Sequence, residues 1–190
     1  QYGHLSVGDE VELVLNSKRR HLIERNHSAT HLLHAAISEI LGKHVEQKGS
    51  YVDENYLRFD FTSMDKLSSE DLSKIETLVN EKIAESIPEE TKILPVEEAK
   101  NLGAEMEFSE KYGSVVRVVC FEDFSKEFCG GTHVKNTSEI GLFVLESESS
   151  VSAGTRRIQA RTSLGAYQYL RRKSEVLASV ESETLSKDDT

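Results

Sequence analysis

The sequence predicts an α+β domain. Three observations carry that prediction. Apolar residues recur at helical spacing over 26–41, 69–87 and 164–185. In other stretches they alternate, or run together, at strand length. The two kinds of stretch interleave with connections of mixed length, and no repeat or low-complexity tract interrupts them. The chain has 190 residues, 37% hydrophobic and 29% charged. That length suits one domain, or one domain with a fragment of another. The periodic apolar blocks exclude a disordered chain.

Taken in order, residues 4–15 alternate. Val11, Leu13 and Leu15 face one way, Glu10, Glu12 and Val14 the other, and Gly8-Asp9 marks a turn before them. This reads as a hairpin end. Residues 26–41 read as a helix with Asn26 as N-cap and Gly42 as stop; Leu32, Leu33, Ala36, Ile37, Ile40 and Leu41 form its apolar face. Strands follow over 44–52 and 55–61, joined at Asp53-Glu54; Leu57, Phe59 and Phe61 alternate with polar residues in the second. Residues 69–87 form a helix capped by Ser68 or Ser69 and closed by Pro88, with Leu72, Ile75, Leu78, Val79 and Ile83 inward. Its acidic outer face reads as solvated. A short strand over 91–96 and a short helix over 96–102, ended by Gly103, come next. Val115–Phe121, with four valines, reads as a buried strand. Further strands are expected over 140–147 and 156–161, and a last helix over 164–185.

Composition narrows the function classes. No apolar run approaches the roughly 18 residues of a membrane span. Gln1-Tyr2-Gly3-His4 lacks the basic start of a signal peptide. Two cysteines, Cys120 and Cys129, are too few for a disulfide framework, so a reducing, cytoplasmic location is expected. Cys120 lies in the valine strand and reads as a buried, inert thiol. The net charge is −10, which at first argues against a nucleic-acid partner. Its distribution answers this: residues 60–110 hold 14 Asp/Glu and 5 Lys/Arg, 5 − 14 = −9 of the total. Residues 149–174 hold six Arg/Lys and no acid, and Lys18, Arg19, Arg20 and Arg25 form a second basic cluster. Local charge decides phosphate binding more than the sum does.

The chemistry concentrates in two segments. His27 and His31 are four apart in the first helix, so both imidazoles lie on one face within reach of one ion. Cys129-Gly130-Gly131-Thr132-His133 lies far along the chain. Across two glycines, Cys129 and His133 can turn toward one point. Thiolate and imidazole are the ligands zinc prefers, so His27, His31, Cys129 and His133 make a four-residue tetrahedral set. His34 lies near the same face and reads as a supporting or core residue.

At this point the residues resemble a known family. Arg25-Asn26-His27-Ser28-Ala29-Thr30-His31-Leu32-Leu33-His34 followed by Cys129-Gly130-Gly131-Thr132-His133 is similar to the editing domain of alanyl-tRNA synthetase. Gln47-Lys48-Gly49-Ser50, Leu57-Arg58-Phe59-Asp60-Phe61, Glu110-Lys111-Tyr112-Gly113, Val116-Arg117-Val118-Val119 and Gly154-Thr155-Arg156-Arg157-Ile158 agree in order and spacing. The resemblance covers nearly the whole chain and is to the bacterial enzyme. Free-standing alanyl-tRNA editing proteins carry the same motifs, and threonyl-tRNA synthetases share the metal pattern more loosely. Three places depart from the family pattern: Ser28, where Thr is common; Glu107-Phe108-Ser109, in place of a more apolar stretch; and Thr155, where an aliphatic is usual.

The resemblance implies zinc-dependent hydrolysis of tRNA(Ala) mischarged with serine or glycine. It implies an α+β fold with a mixed sheet packed by helices around a zinc site, plus a C-terminal helix. Residues 1–20 would be the tail of a preceding β-barrel, 21–162 the editing domain and 163–190 the start of a helical linker, which would suit the missing initiator Met. Thr30, between the two histidines, is the natural reader of a serine hydroxyl, unless that hydroxyl bonds its own helix carbonyl. Gln47 is the second candidate. Arg156 and Arg157 are expected to contact phosphates near the tRNA acceptor end, whereas Arg171, Arg172 and Lys173 read as a solvated linker face. The expected partners are that acceptor end and the rest of a parent synthetase. The rival readings are a zinc-stabilised tRNA-binding module without activity, a free-standing editing protein, and a small-molecule zinc hydrolase. Against the last stands the lack of a Glu beside the histidines, as His-Glu-x-x-His would supply.

Overall fold

A computed structural model gives the fold and describes residues 3–106 and 112–185. The chain runs α1 (Ser17–Leu41), β1 (Gln47–Val52), β2 (Leu57–Thr62), α2 (Ser69–Ala84), β3 (Glu89–Pro95), α3 (Val96–Asn101), β4 (Val115–Phe121) and β5 (Ser125–Phe128). A 3₁₀ turn over Thr137–Ile140 leads to β6 (Phe143–Ser152), β7 (Thr155–Thr162) and α4 (Ser163–Leu185). One sheet has the order β1-β2-β7-β6 and the other β3-β4-β5. The α+β class stands. The pairing is antiparallel throughout both sheets, not mixed; the one parallel pairing among the described residues is an isolated bridge between Glu105 and Glu127.

The main core joins α1, α2 and the inner face of the four-stranded sheet. Leu32, Leu33 and Ile37 of α1 meet Phe59 and Phe61 of β2, Ile75 and Val79 of α2, and Ile158 of β7, all fully buried. Each such side chain contributes about 1.5–3 kcal/mol on leaving water. A smaller cluster under β3 and β4 holds Ala99, Val116, Val118 and Cys120. Cys120 is buried, as its valine neighbours suggest, and burial pushes its thiol up.

Two expectations fail at the start of the chain. Residues 4–15 form no strand; they lack regular structure, and Val7, Leu13 and Val14 are exposed. The first helix begins at Ser17, not at Asn26. Asn16 caps it, its side chain accepting from the Arg19 amide at 3.0 Å. Asn26 sits mid-helix and buried because tertiary partners take its side chain: Nδ2 donates to Asp53 O at 2.8 Å, and Oδ1 accepts from Thr162 Oγ1 at 2.7 Å. A polar residue that looks like a cap is therefore a cross-link between α1, the β1–β2 turn and β7. Elsewhere some boundaries hold and others shift: the strand expected over 140–147 runs Phe143–Ser152, the helix expected to 87 ends at Ala84, and β5 (Ser125–Phe128) was not expected. Ser68 caps α2, accepting from the Asp71 amide at 3.0 Å, and β4 spans the predicted residues. Residues 107–111, including Glu107-Phe108-Ser109, lie outside the described residues.

Candidate metal centre

Helix α1 brings His27 and His31 to one side of the core, and the loop after β5 brings Cys129 and His133 to meet them. One ligand atom from each of the four lies within 4.8 Å of every other. Cys129 Sγ is 3.5 Å from His27 Nε2 and 3.3 Å from His133 Nε2. Metal–ligand bonds of 2.0–2.3 Å in a tetrahedron require ligand–ligand edges of about 3.3–3.8 Å, and the two edges from Cys129 to His27 and His133 match that range, with the whole set inside 4.8 Å. The four residues therefore converge as their spacing predicts.

The histidines are held neutral, the form a metal requires. Burial lowers His27, and the Arg117 charge adds to that. It lowers His31 further, with the neighbouring imidazoles contributing, and takes His133 to about 2. The outer ring atoms are tied down. His27 Nδ1 pairs with Thr132 O at 3.2 Å, and His133 Nδ1 with Ser28 Oγ at 3.0 Å. Ser28 Oγ also accepts from the Val134 amide at 3.1 Å. The hydroxyl kept at position 28 thus orients the His133 imidazole. His31 Nδ1 is buried with no hydrogen-bond partner. A cluster with an unmet nitrogen fits a bound cation better than a closed, hydrogen-bonded core.

Two supporting residues escaped the sequence reading. Arg117 of β4 donates through Nη1 to the carbonyls of Cys129 and Gly131, each at 2.8 Å, and through Nη2 to Thr91 Oγ1 at 3.0 Å. It fixes the loop that carries the thiol. Glu127 of β5 meets His34 Nδ1 at 3.0 Å through Oε1, while Oε2 lies 3.4 Å from His31 Nε2. Burial pulls His34 down, but the Glu127 hydrogen bond and charge outweigh it and leave His34 above its ordinary value. His34 is thus a supporting residue, outside the ligand set. A carboxylate does stand beside the histidines, delivered by a strand and not by the helix. The signal was present: Glu127 is two residues before Cys129, hence on the same side of an extended strand.

Of the other predicted residues, Thr30 is buried and its hydroxyl donates to Asn26 O at 2.9 Å, the local bond weighed against a substrate role. Gln47 begins β1 and lines a separate cavity with His34, Glu105 and Glu127. The cleft on the His27 side holds Ser50 of β1 instead. Arg156 forms an ion pair with Glu148, and Arg157 grips Asp60 through two bonds of 2.6 and 2.7 Å. Both guanidinium groups are already neutralised, and a phosphate would have to displace a carboxylate.

The fold and site define an α+β domain with a two-segment His/Cys centre, and comparison with known proteins supplies the class. Residues 116–159 match the threonyl and alanyl tRNA synthetase second additional domain. Over a longer span the chain is similar to alanine–tRNA ligases: 49% identical to that of Lactobacillus johnsonii over 179 residues, 94% of this chain, and 52% to that of Cytophaga hutchinsonii over 172 residues, 90% of it. That of Alkaliphilus metalliredigens is 50% identical over 180 residues. The chain matches the editing domain of alanyl-tRNA synthetase. It spans about a fifth of the length of these relatives, 20% in each case. No helix among the described residues is long and apolar enough to cross a membrane.

Proposed function

We propose that this chain is an aminoacyl-tRNA deacylase that hydrolyses Ser-tRNA(Ala) and Gly-tRNA(Ala), with Zn²⁺ held by His27, His31, Cys129 and His133. The observation that carries the reading is the convergence of these four side chains, within 4.8 Å, in a chain similar to alanine–tRNA ligases. In the same reading, residues 1–20 are the tail of a preceding barrel, 21–162 the editing domain and 163–190 the start of a linker; the work is cytoplasmic, within a parent synthetase.

The physical need for such a site is plain. A pocket that selects alanine rejects serine or glycine by only about 10- to 200-fold. A second, hydrolytic site must then accept serine and refuse alanine. A group that hydrogen-bonds the serine hydroxyl does this, because alanine would leave it unpaired at about 1–3 kcal/mol. Thr30 is the first candidate for that role: with its proton on Asn26 O, its oxygen would accept from the serine hydroxyl, and alanine would leave unmatched only that acceptor site. Gln47 is the second candidate. Bound zinc would polarise the ester carbonyl or acidify a water. The protein's own part is to keep the imidazoles neutral, to hold the thiol loop through Arg117, and to keep His34 and Glu127 paired beside His31.

The test is deacylation of Ser-tRNA(Ala) against Ala-tRNA(Ala), with and without a chelator. Hydrolysis of the serine ester that the chelator abolishes supports the reading. Zinc binding with no hydrolysis leaves a metal-stabilised tRNA-binding module.

A further inference from the structure

Arg117 holds the thiol loop, yet the bonds of its guanidinium go to neutral oxygens: the carbonyls of Cys129 and Gly131 and the hydroxyl of Thr91. The residue is half-buried, and a cation drawn partly out of water calls for a counter-charge nearby. Glu89 supplies it one hydroxyl away. Thr91 Oγ1 accepts from Arg117 Nη2 at 3.0 Å and donates its own proton to a carboxylate oxygen of Glu89. One hydroxyl has one proton, so its bond to Glu89 leaves the lone pairs of Thr91 for Arg117.

The strand register explains the reach. β3 and β4 pair with Ile93 opposite Arg117. Glu89, Thr91 and Ile93 alternate onto one face of β3, so Thr91 is the diagonal neighbour of Arg117, within range of a long side chain. The Glu89 side chain is only 3% exposed. Burial pushes its carboxyl up, but hydrogen bonds from Thr91 and Lys135, with the charges of Lys135 and Arg117, outweigh it and hold the carboxyl below its ordinary value. Glu89 is therefore an anion at neutral pH.

The other end of the loop meets the same residue. The Glu89 amide donates to Lys135 O at 2.9 Å, two residues past His133, and Lys135 Nζ reaches the Glu89 carboxylate at 3.0 Å. The Lys135 side chain is 82% exposed, so the ion pair is worth little and the backbone bond is the firmer tie. Both ends of the Cys129–His133 loop are thus fastened to β3.

We propose that Glu89 and Thr91 are positioning residues of the metal centre: the Glu89 carboxylate orients the Thr91 hydroxyl, the hydroxyl seats the Arg117 guanidinium, and the guanidinium sets the thiol loop against the imidazoles before an ion arrives. The inference rests on the reading that the four residues bind zinc, and it adds a relay that begins on a separate strand. A loop already ordered loses less freedom on binding, so the relay acts on metal affinity.

The test measures zinc affinity of the whole chain by chelator competition, together with the absorption of the cobalt-substituted protein, whose thiolate-to-metal band reports the Cys129 bond. Thr91 is exposed and Val suits a strand, so Thr91→Val keeps the fold and removes the hydroxyl. Its zinc affinity should fall about tenfold and its cobalt band should shift or weaken. Thr91→Ser should restore both. Glu89→Gln should lose affinity to a similar degree, and Lys135→Gln less than either. Because Thr91 acts through Arg117, Thr91→Val added to Arg117→Lys should lose little beyond Arg117→Lys alone. Parental affinity and spectrum in Thr91→Val overturn the proposal even if its melting temperature falls, because Thr91 would then serve only the sheet. So do losses that multiply in full in the double variant, or no recovery in Thr91→Ser. If the parent chain binds neither zinc nor cobalt, the metal reading itself fails.

Discussion

Arg117 Nη1 donates to the carbonyl oxygen of Cys129 at 2.8 Å, and the Cys129 amide returns a bond to Arg117 O at 3.0 Å. The thiol loop is thereby fastened to β4 on both sides of one residue. Arg117→Lys keeps the charge but cannot fork across the Cys129 and Gly131 carbonyls. Zinc affinity, read by competition with a chromophoric chelator, should fall about 10- to 100-fold, the usual effect of losing an outer contact. Parental affinity in this variant would mean that the loop holds its shape without the clamp.

Removing the thiol should be more severe. Cys129→Ala is expected to lose metal and deacylation together, since it removes the one thiolate among the four candidate ligands. A double variant, Cys129→Ala with His133→Ala, that is purified without added zinc and still carries one equivalent would place the metal elsewhere.

Gly131 has no room for a side chain. A Cβ built there would fall against Cε1 of His27 and 2.7 Å from its Nδ1. Gly131→Ala must push the loop away from α1 or turn the His27 ring. Metal affinity should drop at least tenfold, with a loss of about 1–3 kcal/mol in stability from overpacking. Gly130→Ala is the control, because its Cβ would meet nothing within 4 Å. Equal metal affinity in the two variants would remove the steric argument.

Thr30 tests the sieve. Thr30→Val keeps the shape and removes the hydroxyl, along with its bond to Asn26 O. The ratio of serine to alanine ester hydrolysis should fall more than the overall rate does. Thr30→Phe should lower serine ester hydrolysis a hundredfold or more, on the order of 3 kcal/mol in the barrier, with the metal retained. An unchanged ratio in Thr30→Val would pass the role to Gln47.

Acid should weaken the β6–β7 tie. Arg161 bonds Glu146 at 2.7 and 3.1 Å, and this hydrogen bond, helped by Gln159, holds the Glu146 carboxyl below its ordinary value. A lowered folded-state value means that the contribution is full above about pH 4.5 and fades as pH falls through the folded-state value. The pair is partly exposed, so it is worth about 0.5–1 kcal/mol, or roughly 1–4 °C in melting temperature. Arg161→Gln should lower the melting temperature by that amount at neutral pH and by less at about pH 3. A constant gap across this range would assign the loss to packing.

The sequence alone determined what lies within one window of chain. The span of β4, the capped start of α2 at Ser68 and the helical pair His27 and His31 follow from local periodicity and side-chain chemistry. The meeting of the four candidate ligands was legible too, because glycines between Cys129 and His133 let a loop turn both inward. Only the tertiary structure decided what partners came from afar. Asn26 looks like a cap until Asp53 and Thr162 claim its amide. Glu127 reaches His34 across 93 residues, and Arg20 reaches Thr132 across 112. Arg156 and Arg157 look like free cations until β6 and β2 set Glu148 and Asp60 against them. Periodicity reports which face of an element is buried; which polar groups then meet depends on strand register and helix placement, which the whole core fixes at once.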